Sequence, residues 1–126
     1  MMRLGLTIAA ALVTAGPALA HHSGAMFDRS KEAVVSGTIK EFGWNNPHSW
    51  IKVVAADASG QTREYTVEMG PPSFLARAGW TRSTLKPGDR ADVTIYPLKS
   101  GAAGGAFKQV KLADGRVLTE KPTAAD

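Results

Sequence analysis

Residues 32–42 read EAVVSGTIKEF, from Glu32 to Phe42, and the fold turns on how this stretch is read. β-Branched residues dominate it. Val35, Gly37 and Ile39 alternate with Ser36, Thr38 and Lys40, which is the two-residue period of a strand with one face in a core. Gly37 interrupts the pattern without ending it. That predicts a bulge or sharp bend, as a sheet that curls on itself requires.

The same logic extends toward the C-terminus. Gly43-Trp44-Asn45-Asn46-Pro47 is a turn, because Pro47 restricts Asn46 to extended geometry and asparagine tolerates unusual dihedral angles. A second strand over 48–55 places Ile51, Val53 and Ala55 on one face. Asp57-Ala58-Ser59-Gly60 makes a hairpin loop into a third strand over 62–69, with Tyr65, Val67 and Met69 inward. The period then changes. Gly70-Pro71-Pro72 stops the strand, Ser73 stands as a helix cap, and Phe74, Leu75 and Ala78 form a short apolar stripe ended by Gly79. Trp80 and Leu85 are expected to plug the core, and Leu85-Lys86-Pro87-Gly88-Asp89 is a tight turn. A fourth strand over 90–98 alternates Ala91, Val93 and Ile95 inward. The glycine-rich 101–105 reads as a flexible hairpin loop before a fifth strand over 106–112, and Asp114-Gly115 turns into a last short strand.

Three strands, a short helix and two strands follow the order of an OB fold, a five-stranded Greek-key barrel. The expected fold is therefore mainly β: a five- to six-stranded OB-like barrel over 32–118, with one short helix between strands three and four. Other small barrels or sandwiches remain as alternatives.

What flanks the barrel differs in kind. Met1-Met2-Arg3 is a short basic start, residues 4–15 are apolar, and Ala18-Leu19-Ala20 has the small residues of a cleavage site. This is the layout of a secretory signal peptide over 1–20, with an apolar run too short to span a membrane. Residues 21–31 form an N-terminal arm and 119–126 a polar, flexible tail.

Composition narrows the chemistry. The 126-residue chain is 44% hydrophobic and 21% charged and has no cysteine, which excludes disulfide scaffolds, thiol catalysis, zinc ribbons and iron–sulfur ligation. Three histidines limit a soft metal site to one small one. The net charge of +4 is spread over dispersed lysines and arginines interrupted by acids, so no nucleic-acid patch forms. Its expected partners are another envelope protein, a small molecule or a polymer.

His21-His22-Ser23-Gly24-Ala25-Met26-Phe27-Asp28, Trp44-Asn45-Asn46-Pro47-His48-Ser49-Trp50, Glu68-Met69-Gly70-Pro71-Pro72-Ser73, Gly79-Trp80 and Leu85-Lys86-Pro87-Gly88-Asp89 together resemble a family of short exported bacterial proteins of uncharacterised function. The resemblance covers essentially all of the chain after residue 20. It departs at Gly24 and Gly43, where bulkier residues are expected. It implies export and a small β-rich domain, and no activity.

The chemistry is left to the residues themselves. Cleavage after Ala20 makes His21 the N-terminal residue. Its α-amine and Nδ1 then offer copper a bidentate chelate. His48 as a further ligand, with His22 or Met26 as helpers, gives an arrangement resembling the histidine brace of copper-dependent polysaccharide monooxygenases and some periplasmic copper carriers. The plain reading beside it is a hydrated terminus and a turn histidine bonded to backbone. Met26-Phe27 reads chiefly as an anchor pinning the arm to the barrel.

Trp44 and Trp50 bracket the turn that carries His48, so Trp44, Asn45, His48 and Trp50 are the candidate ligand-binding face. The alternative is that both tryptophans cap a barrel end. Glu64 and Glu68 share one strand face, where a solvated surface is the simpler reading; Glu68, at the strand end, is the carboxylate to watch. No G-x-S-x-G elbow or phosphate loop is present, and no catalytic constellation is recognisable. The expectation is an exported, non-enzymatic binding domain, with copper binding through His21, His22 and His48 as the alternative.

Overall fold

A computed structural model of the chain describes residues 24–122. The expected signal peptide, His21 and His22 lie outside the described residues. Among the described residues a single 3-10 turn (Gly24–Met26) is followed by six strands and one α-helix: β1 (Ala33–Gly43), β2 (Trp50–Ala56), β3 (Thr62–Glu68), α1 (Pro72–Arg77), β4 (Arg90–Pro97), β5 (Gly104–Leu112) and β6 (Val117–Leu118). The sheet order is β3-β2-β1-β4-β5-β6. A parallel seam between β3 and β5 closes the first five strands into an OB-like barrel, through Thr66↔Gly104, Val67↔Gly105 and Glu68↔Ala106.

β1 is the strand that makes closure possible. Its residues from Ala33 to Thr38 pair with β4, and those from Gly37 to Gly43 pair with β2. The register shift falls between Ile39 and Glu41, at Lys40 and not at Gly37. Gly37 has a different reason to be glycine. A Cβ there would lie 2.1 Å from Val54 O, so no side chain fits where β1 is paired on both edges.

The glycine-rich segment also departs from its reading as a loop. Gly104 and Gly105 belong to β5 and are buried. A Cβ on Gly105 would lie 2.3 Å from Tyr96 O, and one on Gly104 would lie 2.4 Å from Thr66 O. These two residues let three backbones meet at the seam, which side chains would hold apart.

The alternation expected of the strands is realised. Val35 and Ile39, Ile51, Val53 and Ala55, Val67 and Met69, and Ala91, Val93 and Ile95 all point into one core. Tyr65 stays half-buried at its edge. The helix differs in two respects. Its N-cap is Pro71 with no side-chain cap, because the fixed φ of proline preorganises the first turn and Pro72 has no N–H to satisfy. Leu75 is buried, while Phe74 is 57% exposed. Burying Leu75 contributes about 1.5–3 kcal/mol. Gly79, at φ +89°, ends the helix as expected. It donates to Ala76 O at 3.1 Å, and Trp80 donates to Leu75 O at 3.0 Å. That turn swings Trp80 into the core, where its ring packs against Phe42 at 5.8 Å and Phe107 at 5.7 Å.

Candidate functional site

Five segments that are distant in sequence build one cleft of about 370 Å³ at the seam of the barrel. The N-terminal segment contributes Gly24, Met26, Phe27 and Arg29; the β1–β2 connection contributes His48. Glu68, Met69 and Gly70 come from the end of β3, with Ala106 and Phe107 from β5 and Glu120 from beyond β6.

The N-terminal segment is fixed there by backbone. Phe27 forms a β-bridge with Leu98, Asp28 donates to Pro97 O at 2.8 Å, and Lys99 donates to Met26 O at 2.9 Å. Phe27 is the apolar anchor, at 8% exposure. Met26 is not part of it: 47% exposed, it faces the cleft. The expected Met-Phe anchor is thus Phe27 alone.

His48 is positioned by its neighbour. Ser49 donates to Gly70 O at 3.1 Å, and Met69 donates to Ser49 O at 2.8 Å, so the residue after His48 is stitched to the strand end. Ser49 is wholly buried, and its Oγ has no hydrogen-bond partner among the described residues. This brings His48 Nδ1 to 3.2 Å from Met69 O and 3.4 Å from Glu68 Oε1.

Glu120 forms another wall. Its Oε1 accepts the Gly70 N–H at 2.6 Å. Burial pushes its carboxyl above the usual value, opposed by that hydrogen bond and by the charges of Arg29 and His48. Sequence reasoning did not identify Glu120, since nothing in a polar C-terminal segment marks a residue that meets a backbone N–H fifty positions earlier. Its neighbour Thr119 accepts from Trp80 Nε1 at 2.9 Å, so the first two residues of the 119–126 segment, expected to be flexible, are hydrogen-bonded to the barrel and its helix turn.

The four residues of the expected aromatic face are not gathered in one pocket. Trp44 is half-buried, edge-on to Phe42 with ring centres 6.0 Å apart. Asn45 is exposed beyond it. Trp50 lies over Gly43, where a Cβ would fall 2.1 Å from Trp50 Cε2, and Lys52 Nζ stands 5.2 Å from its ring centre. Of the four, only His48 lines the cleft. Trp50 is paired in register with Glu68 across β2–β3 but does not line the cleft.

Glu64 and Glu68 have separate roles. Glu64 bonds Lys40 at 2.6 Å and lies 3.7 Å from Lys52, and these cations hold its carboxyl below the usual range. Glu68 faces His48. Among the described residues no group of three or more histidine, aspartate or glutamate side chains is placed to hold a metal ion. His48 is thus the one histidine of the expected copper set that the described residues include, with the helper Met26 lining the same cleft. Among them, too, no helix is long and apolar enough to cross a membrane.

Neither the curated proteins nor the solved structures include a match to this chain. The model of one family, described as a family of unknown function (DUF6152), matches residues 10–108. That span takes in every barrel strand, although it stops inside β5, and it includes His48, Glu68 and Gly70 of the cleft. The chain belongs to this DUF6152 family of unknown function.

Proposed function

We propose that the protein is an exported, non-enzymatic binding domain of the bacterial envelope, and that its binding site is the cleft beside His48. One observation supports this reading above the rest: a concave site built from five chain segments gathers an imidazole, two carboxylates and a guanidinium on a small barrel. Export rests on the signal-peptide layout of residues 1–20. Mass spectrometry of the periplasmic fraction is expected to find a chain that starts at His21; a chain retained in the cytoplasm and starting at Met1 counts against export.

A second reading, copper as the ligand, has its own support. Gly24 and Met26 line the same cleft as His48. His21 lies three residues before Gly24 in the sequence, outside the described residues. An N-terminal amine, two imidazoles and a neighbouring thioether suit copper. The test is Cu(II) titration by calorimetry and electron paramagnetic resonance on protein beginning at His21. Protein with one alanine ahead of His21, and a His48→Ala variant, are run beside it. Tight one-to-one binding weakened by both changes supports copper. Binding indifferent to both overturns it and leaves the cleft to an organic ligand.

A further inference from the structure

The cleft already holds a bonded carboxylate, and that carboxylate belongs to the chain itself. Glu120 Oε1 accepts the Gly70 N–H at 2.6 Å. Arg29 and His48 line the same cleft, and their charges favour the ionised form of Glu120 against its burial. The Arg29 guanidinium stands 5.2 Å from the ring centre of Tyr96, a contact that helps to seat it. A backbone N–H and a guanidinium facing one cleft are a donor set matched to a carboxylate. The other carboxylate of the cleft, Glu68, is engaged with His48 at 3.4 Å. The segment that delivers Glu120 is lightly held. β6 pairs with β5 at two positions, Val110↔Leu118 and Lys111↔Val117, and Thr119 O accepts one bond from Trp80 Nε1. When Glu120 withdraws, the Gly70 N–H loses its acceptor and Arg29 loses a negative neighbour. Another carboxylate is then what the cleft favours. Beside these donors the wall is apolar, built from Met26, Met69 and Phe107.

We propose that Glu120 occupies the subsite for the carboxylate of a small organic acid with an apolar body, and that the segment from Val117 to Glu120 is a strap this ligand displaces. This rests on the reading of the cleft as the binding site and needs no metal. The ligand's carboxylate accepts the Gly70 N–H and faces Arg29, while its apolar body lies against Met26 and Phe107. A cleft of about 370 Å³ is of the size that small ligands use. The strap makes affinity conditional. A ligand binds more weakly in proportion to the fraction of time its site is closed to it.

The test titrates phenylacetate, with phenethyl alcohol and phenethylamine as its neutral and cationic counterparts, into isotope-labelled protein beginning at His21. Proton–nitrogen NMR follows the amides of Gly70 and residues 104–107 in the wild type, Glu120→Ala and Glu120→Gln, and circular dichroism confirms that each variant folds. Glu120→Ala is expected to bind phenylacetate about tenfold more tightly, the factor withheld by a strap closed about nine-tenths of the time. Its Gly70 amide, shifted upfield by loss of the carboxylate, is expected to return downfield as phenylacetate binds. Glu120→Gln is uncharged but keeps an acceptor for Gly70, so its gain is expected to be smaller. Equal affinity in the wild type and Glu120→Ala overturns the strap. Equal gains in Glu120→Gln and Glu120→Ala reduce the effect to charge and overturn displacement. Binding of the alcohol or the amine in place of the acid overturns the carboxylate class and leaves the cleft as a binding site. No response of these amides to any of the three overturns the proposal together with the cleft reading it rests on.

Discussion

Gly70 donates its backbone N–H to Glu120 Oε1 at 2.6 Å, joining the start of the β3–α1 turn to the segment beyond β6. The bond closes one side of the cleft with a carboxylate whose titration is shifted. Burial, the largest cause, raises the Glu120 pKa above its ordinary 4.5. A raised folded-state pKa means that the folded form favours the protonated acid. The stabilising contribution is therefore complete below about pH 4.5 and is lost as pH rises through the folded value. Glu120→Gln removes this dependence and keeps an acceptor for Gly70. The urea midpoint of the wild type is expected to fall relative to Glu120→Gln as pH rises across that window, then to run parallel. A wild-type midpoint that rises relative to the variant over the same range contradicts the assignment.

Asp57 behaves in the opposite sense. Hydrogen bonds from Ser59 and Arg63, with backbone N–H groups of Gln61 and Ser59, hold its pKa down to about 2. Its contribution is present above the ordinary 3.8 and is lost as pH falls through about 2. Acid titration followed by circular dichroism is expected to show Asp57→Asn losing less stability than the wild type between these two values. Equal losses would mean that the β2–β3 turn does not depend on this charge.

Adjacent helix positions are expected to respond very differently to truncation. Leu75→Ala removes a side chain with no solvent exposure from beneath the barrel, at a cost of about 2–5 kcal/mol. Phe74→Ala acts at an exposed position whose ring contacts include Arg77, and is expected to change stability by no more than about 0.5 kcal/mol. Urea denaturation of the two variants measures the difference. Similar losses would require Phe74 to be covered in solution.

Gly105→Ala is expected to destabilise by about 1–3 kcal/mol or more, because its Cβ would stand 2.3 Å from Tyr96 O, where backbone cannot easily yield. Thermal unfolding reads the loss. A near-neutral result would show that the seam accepts displacement.

The faces of the strands were legible because burial alternates with sequence. Val35 and Ile39, or Ile51 and Val53, can reach the core only by pointing the same way. The glycines at 104 and 105 were misread because close backbone approach and a loose loop draw on the same residue type. Met26 and Phe27 read alike as apolar, yet the bridge to Leu98 turns one inward and leaves the other exposed. His48 could be singled out by its chemistry, and Glu68 by its place at a strand end. Their pairing depends on how Ser49 is bonded to Met69 and Gly70, a main-chain relationship with no periodic signature. Glu120 was illegible for the same reason, since its partner is an amide common to every residue but proline.

The parallel seam is also the shortest of the barrel's strand pairings. It joins β3 to β5 through only three residue pairs, while β1 and β2 are matched at six and β2 and β3 at seven. The meander from β1 to β3 is local in sequence and can form early. The seam closes a loop from Val67 to Gly105, so few pairs offset its entropic cost. The cleft borders this short contact. Amide hydrogens of residues 104–106 are accordingly expected to exchange faster than those at the centre of β2, so that ligand at the cleft would slow exchange most where the barrel opens first.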